Sequence, residues 1–137
     1  MEAGVGTPIP EWRLDGVSPE KMKVFAAIAR DPNPIHWDRR EVAARGLGEH
    51  LINQGPVNLG YVINMLLAWA GPASLCDLAV RFTSNVFDGD SVVAGGVVTA
   101  VREREGGRVA DCDVWLDRGD GTRAIAGTAT VALPPGA

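Results

Sequence analysis

The chain changes character at Gly71-Pro72, and that break constrains its fold more than any other feature. Before it, the apolar spacing is helical. Ser18 is a natural N-cap, Pro19 suits the first helical position, and Glu20 suits the positive end of the helix dipole. Met22, Phe25, Ala26 and Ala29 then recur on one face, and Pro32 stops the run. A second short helix is predicted over 39–45, capped by Asp38 and ended by Gly46. A third is predicted from about Pro56 to Trp69, apolar around most of its circumference, as in a helix wrapped by other structure. After the break the runs are rich in Val and Thr: 78–82, 91–104, 109–116 and 124–133. Asp88-Gly89-Asp90, Glu105-Gly106-Gly107 and Arg118-Gly119-Asp120-Gly121 separate them, as hairpin turns do. With a short candidate strand at Glu11–Leu14, this gives four or five antiparallel strands. Helices followed by strands argue α+β: a curved antiparallel sheet with one long central helix across its concave face.

Size and charge narrow the function classes. A chain of 137 residues is one domain by the usual prior, here 11–137 after a flexible lead-in at 1–10. Thirteen basic against seventeen acidic residues, with a pI near 5.1, argue against a duplex nucleic-acid binder. The longest apolar stretch, Met65 to Ala70, is far short of the ~20 residues that span a bilayer, so no membrane partner is expected. No signal peptide is visible at the start. Two cysteines, Cys76 and Cys112, are too few for a disulfide framework or a metal-ligand set, and core thiols in a cytoplasmic protein are expected.

The segment Asp31-Pro32-Asn33-Pro34-Ile35-His36-Trp37-Asp38 carries the chemistry. Its two prolines fix φ twice and hold the loop stiff. An acid and an imidazole are thereby presented five residues apart on a non-helical loop. Such a pair can share one water, one group removing its proton while the other donates a proton elsewhere. Asn33, between them, is placed to orient the loop through backbone hydrogen bonds or to contact the substrate directly. His50 has no partner motif in the sequence.

That run resembles the hydratase signature of the MaoC-like hot-dog family, the (R)-specific enoyl-CoA hydratases and 3-hydroxyacyl dehydratases. Ala43 and Gly46, Arg81-Phe82 and Val86-Phe87-Asp88-Gly89-Asp90 are similar to further family positions, and the likeness runs over about 11–133. It implies a hot-dog fold and a 2-enoyl thioester substrate carried on CoA or acyl carrier protein, without a metal or redox cofactor. Asp31 would take a proton from water as it attacks Cβ, and His36 would hold the water and protonate Cα, a syn addition giving the (R) product. It also implies that backbone N–H groups at the start of the central helix, here Asn53, Gln54 and Gly55, hold the developing enolate. The family's His-Gly pair falls on Asn53-Gln54 in one register and on Gln54-Gly55 in the other, and a Gln54 side chain would narrow the acyl pocket.

Asn53, the run Trp69 to Pro72 and the run Gly96 to Val101 are also similar to the small subunit of actinobacterial two-chain hydratases acting on steroid side-chain CoA thioesters. A dimer, with itself or with a second hot-dog chain, is therefore expected. Two other readings share the scaffold: an acyl-CoA thioesterase, and a non-catalytic subunit completing another chain's tunnel.

Overall fold

The computed structural model describes residue 1 and residues 3–137; Glu2, within the expected lead-in, lies outside the described residues. Five strands form one antiparallel sheet: β1 (Pro8–Leu14), β2 (Leu75–Phe82), β3 (Val92–Arg104), β4 (Gly107–Arg118) and β5 (Arg123–Ala132), in the order β1-β3-β4-β5-β2. Three α-helices precede β2: α1 (Pro19–Ala29), α2 (Arg39–Ala44) and α3 (Gly55–Ala70), with a 3₁₀ turn at Pro34–His36. This is the α+β arrangement that the break at Gly71-Pro72 predicts.

The helix starts follow their caps. The Ser18 hydroxyl accepts from Lys21 N–H at 3.3 Å, and the Asp38 carboxylate accepts from Arg40 N–H at 2.9 Å. The hairpins turn where glycine allows a positive φ, at Gly106 (90°) and Gly121 (85°). They are tighter than the sequence suggests, so β4 extends two residues beyond each of its predicted ends, to Gly107 and Arg118.

The start of β1 departs from expectation. The strand begins at Pro8, not Glu11, so 8–10 belong to the sheet rather than to a loose lead-in. Prolines are tolerated there because β1 is an edge strand, paired among the described residues with β3 alone, and its register slips between Ile9 and Trp12. Ile9 and Ala3 are buried.

Helix α3, about 24 Å long by its rise, lies on the sheet. Its Val62, Met65 and Leu66 are fully buried in one cluster with Val86, Val98, Cys112, Val114, Ile125 and Val131. The opposite flank is less enclosed than predicted. Leu59, Ile63 and Leu67 are half-buried, and Asn64 and Ala68 are exposed. Trp12 of β1 stacks on Tyr61 of α3, with ring centroids 5.3 Å apart and planes at 15°. Among the described residues, no helix is long and apolar enough to cross a membrane.

Candidate active site

Asp31 is placed by the way α1 ends. Arg30 adopts the left-handed conformation (φ 51°), Arg30 N–H donates to Ala27 O, and Asp31 N–H reaches back to Ala26 O at 2.9 Å. A non-glycine residue there costs about 1 kcal/mol, and the wound-back end aims the next side chain across the loop. Beyond it, Asn33 ties the loop together through its backbone and side chain. Its N–H donates to Asp31 Oδ1 at 3.1 Å, and its side-chain oxygen accepts from Arg45 Nη1 at 3.2 Å and, more weakly, from Ile35 N–H at 3.4 Å.

The 3₁₀ turn then swings His36 inward. The imidazole is buried, its Nε2 is 3.3 Å from Asp31 Oδ2, and its Nδ1 is 2.6 Å from the carbonyl oxygen of Ile52. That carbonyl can only accept, so Nδ1 carries its hydrogen and Nε2 faces the carboxylate. Ile52 N–H in turn donates to Ile35 O at 3.0 Å, so the backbone beside His36 is clamped on both edges of Ile52. The Asp31 carboxyl keeps over a third of its side-chain surface exposed, which leaves room for a solvent molecule at the pair.

At the start of α3 the three expected amides are not equivalent. Asn53 N–H is committed to Val86 O at 2.7 Å, through the bridge that joins Ile52 to Phe87. The side chain of Asn53 is also turned inward, its Nδ2 donating to Asn58 Oδ1 at 2.8 Å and Tyr61 Oη at 3.1 Å. Asn53 therefore lacks the free amide expected of it, because pairing with 86–88 uses it. Among the described residues, the N–H groups of Gln54 and Gly55 have no protein acceptor, as befits the first positions of a helix. The Gln54 side chain is fully buried and donates from Nε2 to Met22 O at 2.8 Å, bracing α1. Phe82 covers the start of α3, with ring atoms 3.4 Å from where a Gly55 Cβ would stand.

Burial pushes the Tyr61 hydroxyl above its ordinary range, against the opposing hydrogen bond from Asn53. A cavity of about 300 Å³ lies beside this network, lined among others by Trp12, Leu14, Asn53, Val57, Tyr61 and Asn64.

Other thiols and acids stand apart from the pair. Cys112 is a core thiol that burial pushes up to about 11, whereas Cys76, expected in the core, is exposed on edge strand β2. Among the described residues, no three of His, Cys, Asp and Glu group closely enough to hold a metal ion. Sequence reasoning missed Asp88. It is buried, and it collects His50 Nδ1 (2.9 Å), Leu51 N–H (2.8 Å) and Arg39 Nη2 (2.9 Å). Burial raises this carboxyl, but the hydrogen bonds from His50 and Leu51 and the Arg39 guanidinium together outweigh burial and hold it below its ordinary value. Its partners lie 37–49 residues away, so no local spacing marks it.

The model of the MaoC like domain matches residues 4–114. No curated protein matched the sequence. Among solved structures, the chain is 28% identical to the (R)-hydratase from A. caviae involved in PHA biosynthesis, covering 96% of this chain and 97% of that one with a TM-score of 0.80. It is 24% identical to a chain of the ChsH1-ChsH2 complex from Mycobacterium tuberculosis, covering 97% and 100% (TM-score 0.81). It is 20% identical to the R-hydratase PhaJ1 from Pseudomonas aeruginosa, covering 96% and 82% (TM-score 0.81).

Proposed function

The chain belongs to the MaoC-like domain family and has its α+β hot-dog fold, and we propose that it adds water to a 2-enoyl thioester or removes it from the (R)-3-hydroxyacyl product. The observation that carries this reading is the contact between Asp31 and a buried His36 whose other nitrogen is held by a backbone carbonyl. The likeness to the A. caviae (R)-hydratase supports the same chemistry.

The tautomer sets the proton bookkeeping. With Nδ1–H bound to Ile52 O, a neutral His36 would turn its Nε2 lone pair on the Asp31 carboxylate. One proton shared between Nε2 and the carboxylate removes that conflict, and the hydration direction starts with it on Nε2 and with Asp31 free to accept. Water then gives one proton to Asp31 while its oxygen bonds to Cβ. The electrons of the Cα=Cβ bond move toward the thioester carbonyl, forming an enolate, and Nε2–H protonates Cα. Asp31 returns the water's proton to Nε2 across their contact, which restores the pair. Both additions come from one side of the alkene, hence syn. The N–H groups of Gln54 and Gly55, with the positive end of α3, face the enolate oxygen.

Positioned acid–base catalysis contributes on the order of 10²–10⁴ in rate. Asp31→Asn and His36→Gln each lower hydration of crotonyl-CoA or a longer enoyl-CoA by at least ~10² with unchanged circular dichroism. Unchanged turnover in both variants would remove the pair from the chemistry.

The working unit is a dimer of hot-dog chains, with itself or with a second chain. Among the described residues, edge strand β2 has no strand partner on its outer side, and it ends in exposed Phe82, which meets the start of α3. The complex named for the M. tuberculosis relative, ChsH1-ChsH2, supports a two-chain form. The substrate is carried on CoA or acyl carrier protein.

A further inference from the structure

We propose that Asp88 is a positioning residue for the hydration step, setting the orientation of His36 through Leu51 and Arg39. The proposal rests on the hydratase reading for its kinetic consequence, but its structural half stands alone.

His36 Nδ1 has Ile52 O as its only protein partner among the described residues. Wherever that carbonyl points, the imidazole follows, and Nε2 moves against Asp31. Ile52 is itself held on one side by the 3₁₀ turn, through its N–H to Ile35 O. On the other side it belongs to the segment 51–53, paired with 86–88 by Asp88 N–H to Leu51 O (2.9 Å) and Asn53 N–H to Val86 O (2.7 Å). Asp88 Oδ2 closes a further bond on Leu51 N–H at 2.8 Å, so backbone and side chain of one residue grip both polar groups of Leu51. The same oxygen takes Arg39 Nη2 at 2.9 Å. Arg39 opens α2, three residues after His36 in the chain. One buried carboxylate thus ties the strand side of the His36 clamp to its helix side.

Asp88 Oδ1 is occupied by His50 Nδ1. Every donor on the carboxylate therefore lies in 39–51, the connection between the catalytic turn and α3. Small misplacements of a catalytic group are expensive: a 1 Å error costs roughly 10² in rate. Partners that orient metal-bound imidazoles from behind typically matter by about 10–100-fold, which sets the scale expected for His36.

The test uses the purified full chain, with its partner chain if one co-purifies, labelled with ¹⁵N-histidine. Asp88→Ala, the shape-keeping Asp88→Asn, and Val109→Ala, a buried-core control in the β3–β4 hairpin, are compared. Imidazole ¹⁵N spectra report the hydrogen-bonded Nδ1–H of His36 whether or not the protein turns over substrate, with His36→Gln assigning the signal. Asp88→Ala is expected to shift the His36 Nδ1 and Nε2 resonances and to lower kcat on crotonyl-CoA about 10- to 50-fold, with KM within about 3-fold. Asp88→Asn, which retains an acceptor for Leu51 N–H, recovers part of both effects, and Val109→Ala shows neither. Should Asp88→Ala not fold, Asp88→Asn against Val109→Ala decides on the same readouts. His36 resonances unmoved in the Asp88 variants would overturn the proposal outright. Resonances that move without a fall in kcat would overturn its role in turnover. Absence of hydration in the wild type would count against the hydratase reading while leaving the spectra to decide the positioning.

Discussion

Gln54 keeps one of its two polar atoms without a partner. Its Nε2 donates to Met22 O, but its fully buried Oε1 accepts from no group among the described residues. A buried acceptor left unpaired costs about 1–3 kcal/mol, roughly cancelling what the single good bond contributes. Gln54→Met removes both at similar volume, so its unfolding free energy from urea titration is expected within about 1 kcal/mol of the wild type. Gln54→Ala, which leaves a void between α1 and α3, is expected to cost about 2 kcal/mol or more. A Gln54→Met loss as large as the alanine loss would show that the Met22 bond dominates. The pair beside it differs in legibility. Asp31 and His36 were readable because two prolines and a five-residue spacing are local properties. Whether Asn53, Gln54 or Gly55 offers a free amide was not, because Asn53 loses its own to Val86, 33 residues away.

Elements here are fixed by where chains must approach closely. At Gly127, on β5, a Cβ would fall 2.2 Å from Ala79 O of the neighbouring strand β2. The obstacle is backbone, so no rotamer can yield. Gly127→Ala is expected to push β2 off the sheet and cost several kcal/mol, seen as a lowered unfolding midpoint or loss of soluble protein. An alanine variant as stable as the wild type would mean that β2 and β5 are paired differently. Strand and helix identities were legible because hydrophobic runs, caps and Gly-containing turns are written locally. The early start of β1 was not: Pro8 and Pro10 argue against a strand until the sheet order shows that β1 is an edge. Nor was the open flank of α3 visible, since Leu59, Ile63 and Leu67 look like core positions in a chain read alone.

At the scale of the whole molecule the open side points to a second chain. The β2 edge and the start of α3 meet at Phe82, which is 55% exposed and lies against Gly55. Covering them with a second hot-dog chain would pair the edge and bring the partner next to the proposed enolate site. Light-scattering mass measurement is expected to give twice the 14.4 kDa chain mass, or the sum with a co-purified chain. A fully active species at 14.4 kDa would contradict the dimer.

The reaction itself is tested most directly by incubating the purified protein with crotonyl-CoA in D₂O and resolving the products. The account predicts (R)-3-hydroxybutyryl-CoA carrying one deuterium at Cα on the same face as the new hydroxyl. Release of free CoA with no hydroxyacyl product, or addition with the opposite relative stereochemistry, would contradict it.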